Sequence, residues 1–509
     1  MSLRASIIIA CCVGFVSISM EVLWINVIGY LLKSHAGIFA IVLSFVLFGV
    51  AFGAKYGYQK NKLEQKDIIK LISDSLLLAG IINFLGLPII GWLMTIHEFF
   101  GVLLIGKIIV VSFLLGCIFP LLCHISITNH EKSVGQHTSW IYAGNIVGAT
   151  TGPLITGFIL IDHFDMQSII TGLCIISIFL SLIIRINNKS SYNIKHIITR
   201  VLVGLLVLLI YKPLYSNNLE LIHFRSDYKQ DLKFKYVTQN KSGIISVQED
   251  EKGDIFFGGG AYDGRINSDP ENNSNGIHRA YMVAALHKNP ENVLMIGLST
   301  GSWAKVLQDF PDIKQLTIIE INSKYLELIS KYPENATILN DKRIKIIIDD
   351  GRRWINRNLD RKFDMIVMNT TYHFREHITN LLSIEFLKIC KRVLNKDGVM
   401  YWNTTRSSDV VFTAAHAFKY ITTYGSFVAG SDAPFTMSTE EKKNAFLKFE
   451  RDNEKIFTKN EVRKELLDKF VNTSLVDIRD SILSQNLWLV TDNNIATEYK
   501  AGVWRKSKN

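Results

Sequence analysis

The chain is poor in cysteine and has no internal repeat or low-complexity tract. Cys11, Cys12, Cys117, Cys123, Cys174 and Cys390 are its six cysteines in 509 residues. Five lie in apolar runs and one in a predicted helix, with no metal-ligand spacing among them. That excludes a disulfide-stapled scaffold and a cysteine metal centre, and no metal is expected. Buried thiols in a reducing compartment are the expectation. The first apolar run lacks a small-residue cleavage site before its polar flank, so it is expected to be retained rather than removed. Acidic residues are scarce in the first 215 positions: 8 Asp/Glu against 14 Lys/Arg carry +6 of the total +10. A basic excess held in short loops between apolar runs fits a membrane surface, and no nucleic acid is expected.

What those first residues do have is apolar length. Candidate spans are Ala5–Leu32, Gly37–Tyr58, Ile68–Met94, Gly101–Ile127, Trp140–Ile161 and Gln167–Ile184, each long enough to cross a bilayer core. A seventh run, Ile197–Tyr211, holds fifteen residues and contains Arg200. Arg4, Lys55, Lys60, Lys62, Lys66, Lys132, Arg185, Lys189 and Lys195 fall on the amino-terminal side of the alternation, Lys33 and Lys107 near the other. The bias puts the N-terminus in the cytoplasm. An even number of crossings is then favoured, with the seventh run along the interface. Glu21, Asn26, Asp74 and Asn145 lie inside spans, where polar groups serve helix–helix contacts or function. Gly144, Gly148, Gly152 and Gly157 would let helices approach closely.

The second half reads as α/β. Val293–Ile296 is a buried strand, Gly297–Ser302 a small-residue turn and Trp303–Leu307 the start of a helix. Such a turn admits a ligand close to the backbone, against free N–H groups at the helix start. A second strand, Gln315 to Glu320, ends in an acid about twenty residues on, where a doubly wound nucleotide site binds ribose hydroxyls. Strands Ile344–Ile348 and Phe363–Met368 end in Asp349-Asp350-Gly351 and Asn369-Thr370-Thr371. Three polar strand ends beside the glycine turn make a crevice at the carboxyl edge of one parallel sheet. Upstream, Lys233–Asn267 alternates as short antiparallel strands, and Gly258-Gly259-Gly260 marks a close backbone approach. The expected organisation is an integral membrane domain at 1–215, a connector and small β-domain at 216–275, a Rossmann-like domain at 276–425 and a helical tail at 426–509.

On these residues, from Lys233 to Thr405 and more loosely in the membrane half and the Thr491-Asp492 tail, the chain resembles the spermidine synthase family in its membrane-fused form. The resemblance implies a small β-domain before a Rossmann-like sheet. It also implies decarboxylated S-adenosylmethionine as donor of an aminopropyl group. Met295–Gly301 stands at the family's Gly-rich turn, Glu320 at its ribose-binding acid and Asp350-Gly351 at its adenine-contacting pair. The implied cofactor-binding residues are Gly297, Ser299, Gly301, Glu320, Asp350 and Gly351. The family's Asp-Ser-Ser-Asp loop reads Asn369-Thr370-Thr371-Tyr372 here, so both of its acids are absent. Its Tyr-Gln falls at Ile244-Ile245, and its Tyr-His-Glu at Ile277-His278-Arg279, with a base replacing the acid.

Carboxylates are what hold and deprotonate a polyamine. With His373, Arg375 and His377 after the fourth strand and Arg352 and Arg353 after the third, an anionic group suits the site better. Asn369, Tyr372, His373 and Arg375 are the candidate catalytic residues, His373 the candidate base. The expectation is a membrane-integral transferase using S-adenosylmethionine or its decarboxylated form. Its acceptor would be a small molecule or lipid-linked, and not a simple polyamine. Methyl transfer, cleavage of S-adenosylmethionine, or a non-catalytic membrane sensor or transporter remain open, as does a homo-oligomer. The expected location is the inner membrane, with the C-terminal domain cytoplasmic.

Overall fold

The computed structural model describes residues 2–127, 134–187, 193–369 and 371–500. Lys132, Lys189 and Thr370, used above, lie outside them. The chain divides into two compact units. The first is Met1–Leu32, Gly37–Phe234 and Gln239–Gly243; the second is Lys33–Ala36, Lys235–Thr238 and Ile244–Asn509.

The first unit contains seven helical segments long and apolar enough to cross a membrane: α1 (Leu3–Leu31), α2 (Ile38–Lys62), α3 (Gln65–Ile96), α4 (Glu98–Ser126), α5 (Val134–His163), α6 (Met166–Ile186) and α7 (Ile194–Tyr215). The sequence pattern anticipates α1–α6. It under-reads α7, which is 22 residues against the fifteen of the apolar run, about 33 Å and enough to span. The length argument against a seventh crossing therefore falls. Arg200 is not a stray charge in α7 either. With Arg185 of α6 it binds the Asp74 carboxylate of α3, and its Nε donates to Ser181 Oγ at 2.8 Å. A buried guanidinium is tolerable when its donors are matched in this way.

Glycine sets the helix contacts. A Cβ at Gly144, Gly148 or Gly152 of α5 would lie 2.8, 1.8 or 2.6 Å from the carbonyls of Ile7, Cys11 and Phe15 in α1. Nothing lies within 4 Å of such an atom at Gly157, so that glycine is not part of the seam. A second seam, unnoticed in the sequence, runs along α2. Cβ atoms at Gly49, Gly53 and Gly57 would meet the Ile109, Phe113 and Cys117 carbonyls of α4 at 2.6, 2.1 and 2.5 Å. Lipid tails offer no hydrophobic drive between helices, so close backbone approach supplies the packing.

A small sheet opens the remainder: β1 (Phe234–Asn240), β2 (Gly243–Gln248), β3 (Ile255–Gly258) and β4 (Ala261–Arg265), in that spatial order, with β2–β3 and β3–β4 antiparallel. A seven-stranded sheet follows: β5 (Asn292–Ile296), β6 (Gln315–Glu320), β7 (Ile344–Ile348), β8 (Phe363–Met368), β9 (Leu394–Asn403), β10 (Tyr420–Tyr424) and β11 (Phe427–Ser431), ordered β10-β11-β9-β8-β5-β6-β7. Strands β5 to β9 are parallel, but β10 and β11 are antiparallel, so the sheet is mixed rather than wholly parallel. The central strands are buried apolar runs because helices cover both faces. The cores hold Val293, Met295, Ile318 and Val367 on one side and Leu294, Ile296, Ile319 and Ile366 on the other. Strand order reverses at β5, between β8 and β6, which puts the crevice at the carboxyl ends of those three strands.

Candidate active site

The turn after β5 takes three residues into the left-handed region: Gly297 (φ 85°), Ser299 (φ 49°) and Gly301 (φ 75°). Glycine adopts this freely, whereas Ser299 is strained there and held by its surroundings. Its Oγ donates to the Asp263 carbonyl of β4 at 2.9 Å, so the small sheet leans on the turn. Glu320, ending β6, is 4% exposed. Its carboxylate accepts Leu298 N at 2.7 Å and Asn322 N at 2.8 Å. One oxygen is thus tied to the glycine turn and the other to its own strand end, leaving lone pairs for further donors. Burial pushes Glu320 up to about 7, with those amides opposing. A buried acid with unused acceptor capacity beside an open-conformation turn fits vicinal hydroxyls of an adenosyl ligand.

Asp350 caps the helix Gly351–Asn356, accepting Arg353 N at 2.7 Å. A Cβ on Gly351 would lie 2.7 Å from Ile296 Cγ2, so only glycine lets this helix start against β5. Asn369, at the end of β8, has its carbonyl facing Gly297 and its side chain 3.5 Å from Asn403 Nδ2. Tyr372 stacks on Phe374, ring centroids 5.1 Å apart. Burial raises its phenol, with Asp263 adding to the rise and Arg279, Arg375 and Arg406 opposing it.

The loop after β9 reaches the same place. Thr405 (φ 47°) and Arg406 (φ 67°) are consecutive left-handed residues, a strained pair of the kind found at functional sites. Thr405 Oγ accepts the His373 backbone N–H at 3.0 Å and meets His373 Nδ1 at 2.6 Å. For Nε2 to take a proton, Nδ1 must carry hydrogen and donate to Thr405. Burial lowers the His373 pKa, keeping the ring neutral near pH 7.

Arg375 is half-buried. Its Nη1 donates to Thr371 Oγ at 2.8 Å and its Nη2 to Ser34 Oγ at 3.2 Å. Its backbone pairs with the His35 strand fragment, and Ser34 and His35 belong to this unit. Its Nε is buried without a hydrogen-bond partner among the described residues. Asp263, half-buried on β4, accepts the Tyr325 hydroxyl and interacts electrostatically with Glu320, Arg375 and Tyr372. The sequence reading missed this acid. It lies in an ordinary alternating strand, and its one signal is the glycine beside it. Gly264 packs against Ser299 and Thr300, where a Cβ would meet side-chain atoms at 3.1 Å.

Residues 279–458 match the spermine/spermidine synthase domain. This stretch of the chain is similar to that domain. Over 123 residues the chain is 38% identical to the polyamine aminopropyltransferase of Streptococcus uberis, covering 24% of this chain and 42% of that one. The Streptococcus pneumoniae serotype 4 enzyme is 34% identical over the same shares. The chain thus spans about two-fifths of the length of these curated relatives. A solved spermidine synthase in complex with the transition-state analogue AdoDATO aligns over 50% of this chain and 89% of its own, at 19% identity and a TM-score of 0.39.

Two groups expected near an anion are engaged elsewhere in the second unit. Arg352 binds the Asp492 carboxylate with both Nη atoms, at 2.7 and 2.6 Å, and Asp492 also takes Ser383 Oγ at 2.6 Å. Arg353 Nε binds Asp349 at 2.6 Å. Burial would raise Asp349, but Arg353 and the Asp350 amide hold it below its usual range. Both arginines are therefore spent on ion pairs, and the tail residue Asp492 fastens the second unit rather than entering the crevice. His377 is exposed beside Glu376, in the left-handed region at φ 64°. His278 packs edge-on against Phe470 and meets the Pro270 carbonyl at 2.7 Å. Among the described residues no cluster suited to a metal is found.

Proposed function

We propose that the synthase domain transfers the aminopropyl-type arm of an adenosyl sulfonium, S-adenosylmethionine or its decarboxylated form, to an acceptor that is not a simple polyamine. The observation that carries this reading is the Glu320 carboxylate, buried at the switch point and bonded to the glycine turn. It would hold the ribose, with Asp350-Gly351 beside the base and the Gly297–Gly301 turn against the arm. When bound, the sulfonium supplies an activated carbon. The nucleophile attacks that carbon, the C–S bond breaks, and its electron pair goes to sulfur, releasing methylthioadenosine. The nucleophile's proton passes to solvent or to His373 Nε2. Positioning supplies most of the rate, because the leaving group departs uncharged.

The acceptor reading rests on charge. Asn369, Tyr372 and Arg279 stand where the family has acids, and three guanidiniums act on Tyr372 against the single carboxylate of Asp263. The seven apolar segments support a membrane-integral protein, which suits an amphipathic or lipid-linked acceptor, and the sulfonium donor asks for the C-terminal domain on the cytoplasmic side. The test is product analysis with purified full-length protein. Methylthioadenosine supports the reading, and spermidine formed from putrescine at an ordinary synthase's rate overturns the acceptor assignment. S-adenosylhomocysteine would mean methyl transfer, and no nucleoside product would mean a sensor or transporter.

A further inference from the structure

We infer that the synthase domain takes its donor with the α-carboxylate still attached: Arg375 forms a carboxylate subsite beside the ammonium subsite of Asp263. This rests on the adenosyl-sulfonium reading above and narrows it to intact S-adenosylmethionine.

Two consecutive glycines stand at the end of β3. A Cβ on Gly258 would lie 2.8 Å from the Tyr325 hydroxyl and 3.5 Å from the Asp263 carboxyl carbon. A Cβ on Gly259 would lie 2.7 Å from Arg375 Nη2 and from Ser34 Oγ. Neighbouring Cα atoms are 3.8 Å apart, so the acid and the guanidinium sit on adjacent steps of one turn. Opposite charges this close ordinarily join. Here they do not: Arg375 bonds only Thr371 and Ser34, and Asp263 only Tyr325, among the described residues. They act on each other electrostatically but share no hydrogen bond, and Arg375 Nε is buried without a hydrogen-bond partner among the described residues, which is costly.

The complement to a carboxylate and a guanidinium held side by side but apart is a zwitterion. The amino-acid end of S-adenosylmethionine carries an ammonium and a carboxylate on one carbon. Its decarboxylated form carries the ammonium alone. Asp263 serves either donor, but Arg375 has work only with the first. Its surroundings favour two-pronged recognition of a planar anion: Thr371 and Ser34 fix the fork, and Nε faces no protein acceptor. Arg279, held by Ser426 Oγ at 2.8 Å and over the Phe427 ring, adds positive field at Tyr372 with no carboxylate of its own among the described residues.

The experiment is calorimetry on the full-length protein in detergent, with three probes: S-adenosylmethionine, its decarboxylated form and methylthioadenosine, which lacks both charged groups. We expect S-adenosylmethionine to bind about 10- to 100-fold tighter than the decarboxylated form. Arg375→Gln should erase that ratio by weakening S-adenosylmethionine alone, and Arg375→Lys should restore part of it. Asp263→Asn should weaken both charged probes and leave their ratio standing. Equal or tighter binding of the decarboxylated form to wild type overturns the inference, as does a ratio untouched by Arg375→Gln. Methylthioadenosine separates the two levels. If it binds in a Glu320-dependent way while the ratio fails, only the carboxylate subsite is lost. If no probe binds, the adenosyl reading falls with it.

Discussion

Glu320 shows how one side chain makes the site sensitive to pH. Its folded pKa of about 7 lies above its ordinary 4.5, so between those values the folded state holds a proton that the unfolded chain has lost. Stability therefore falls as pH rises through that window, by about 3 kcal/mol. Ribose hydroxyls donate to the ionised carboxylate and would pull its pKa down on binding. Binding should release a proton near pH 7, and affinity should fall up to about tenfold per unit of pH below it. Calorimetry in buffers of different ionisation heat reads the proton directly, and Glu320→Gln should abolish it. His373 belongs to the same scale. His373→Gln should lower kcat about 100-fold with donor affinity unchanged, and Thr405→Val should shift the pH–rate profile by freeing Nδ1. Equal profiles would remove Thr405 from any positioning role. Glu320 was legible because an acid ending the second strand has one common use. Asp263 was not, because its meaning comes from Ser299, Tyr325 and Gly258, which the fold brings to it from three other segments.

Among elements, the short ones carry most of the specificity. The β3–β4 turn holds Gly259 at φ 55° with Arg375 and Ser34 where a Cβ would go. Gly259→Ala should displace the guanidinium and weaken S-adenosylmethionine more than methylthioadenosine in the same calorimetry. The helix seams allow a matched pair. Gly148→Ala puts a methyl 1.8 Å from the Cys11 carbonyl, whereas Gly157→Ala meets nothing. Thermal unfolding in detergent should show a loss of about 1–3 kcal/mol for the first and within about 0.5 for the second. Strands β6 and β8 were readable to the residue because a buried parallel strand is a continuous apolar run bounded by polar ends, and the edge strand β7 because its β-branched run stops at Asp349. The sequence pattern gives the tail at 426–509 as helical, with one charged helical stretch over Thr439–Lys469. That stretch is two helices, Thr439–Phe446 and Glu461–Val471, separated by a small two-stranded turn at Glu450–Lys455. Periodicity marks the amphipathic faces of such helices but not the bend between them.

For the whole molecule, the full length of α7 changes the topology question. With seven crossings, Lys33–Ala36 and everything after Tyr215 share one side, because each follows an odd number of spans. The basic-loop bias alone would put that side outside, whereas the proposed sulfonium chemistry needs it inside. Paired reporters, one active only in the cytoplasm and one only outside, fused at Asn187 and Ser216 should report opposite sides, with the Ser216 fusion cytoplasmic. An external signal there would remove the case for sulfonium chemistry.

The segment Lys33–Ala36 has a consequence for how the protein can be handled. Its Ser34 accepts Arg375 Nη2 at Oγ and Glu376 N at the carbonyl, the latter at 2.8 Å, yet some 340 residues separate them. During synthesis the ribosome delivers this piece early and its partners late, so the crevice is completed only near the end of translation. The second unit is therefore not a detachable cassette. A fragment starting at residue 216 would fold its sheets and still lack one wall of the Arg375 subsite. Such a fragment should hold methylthioadenosine normally while discriminating poorly between the two sulfonium donors, and a peptide covering residues 32–37 should restore part of the difference.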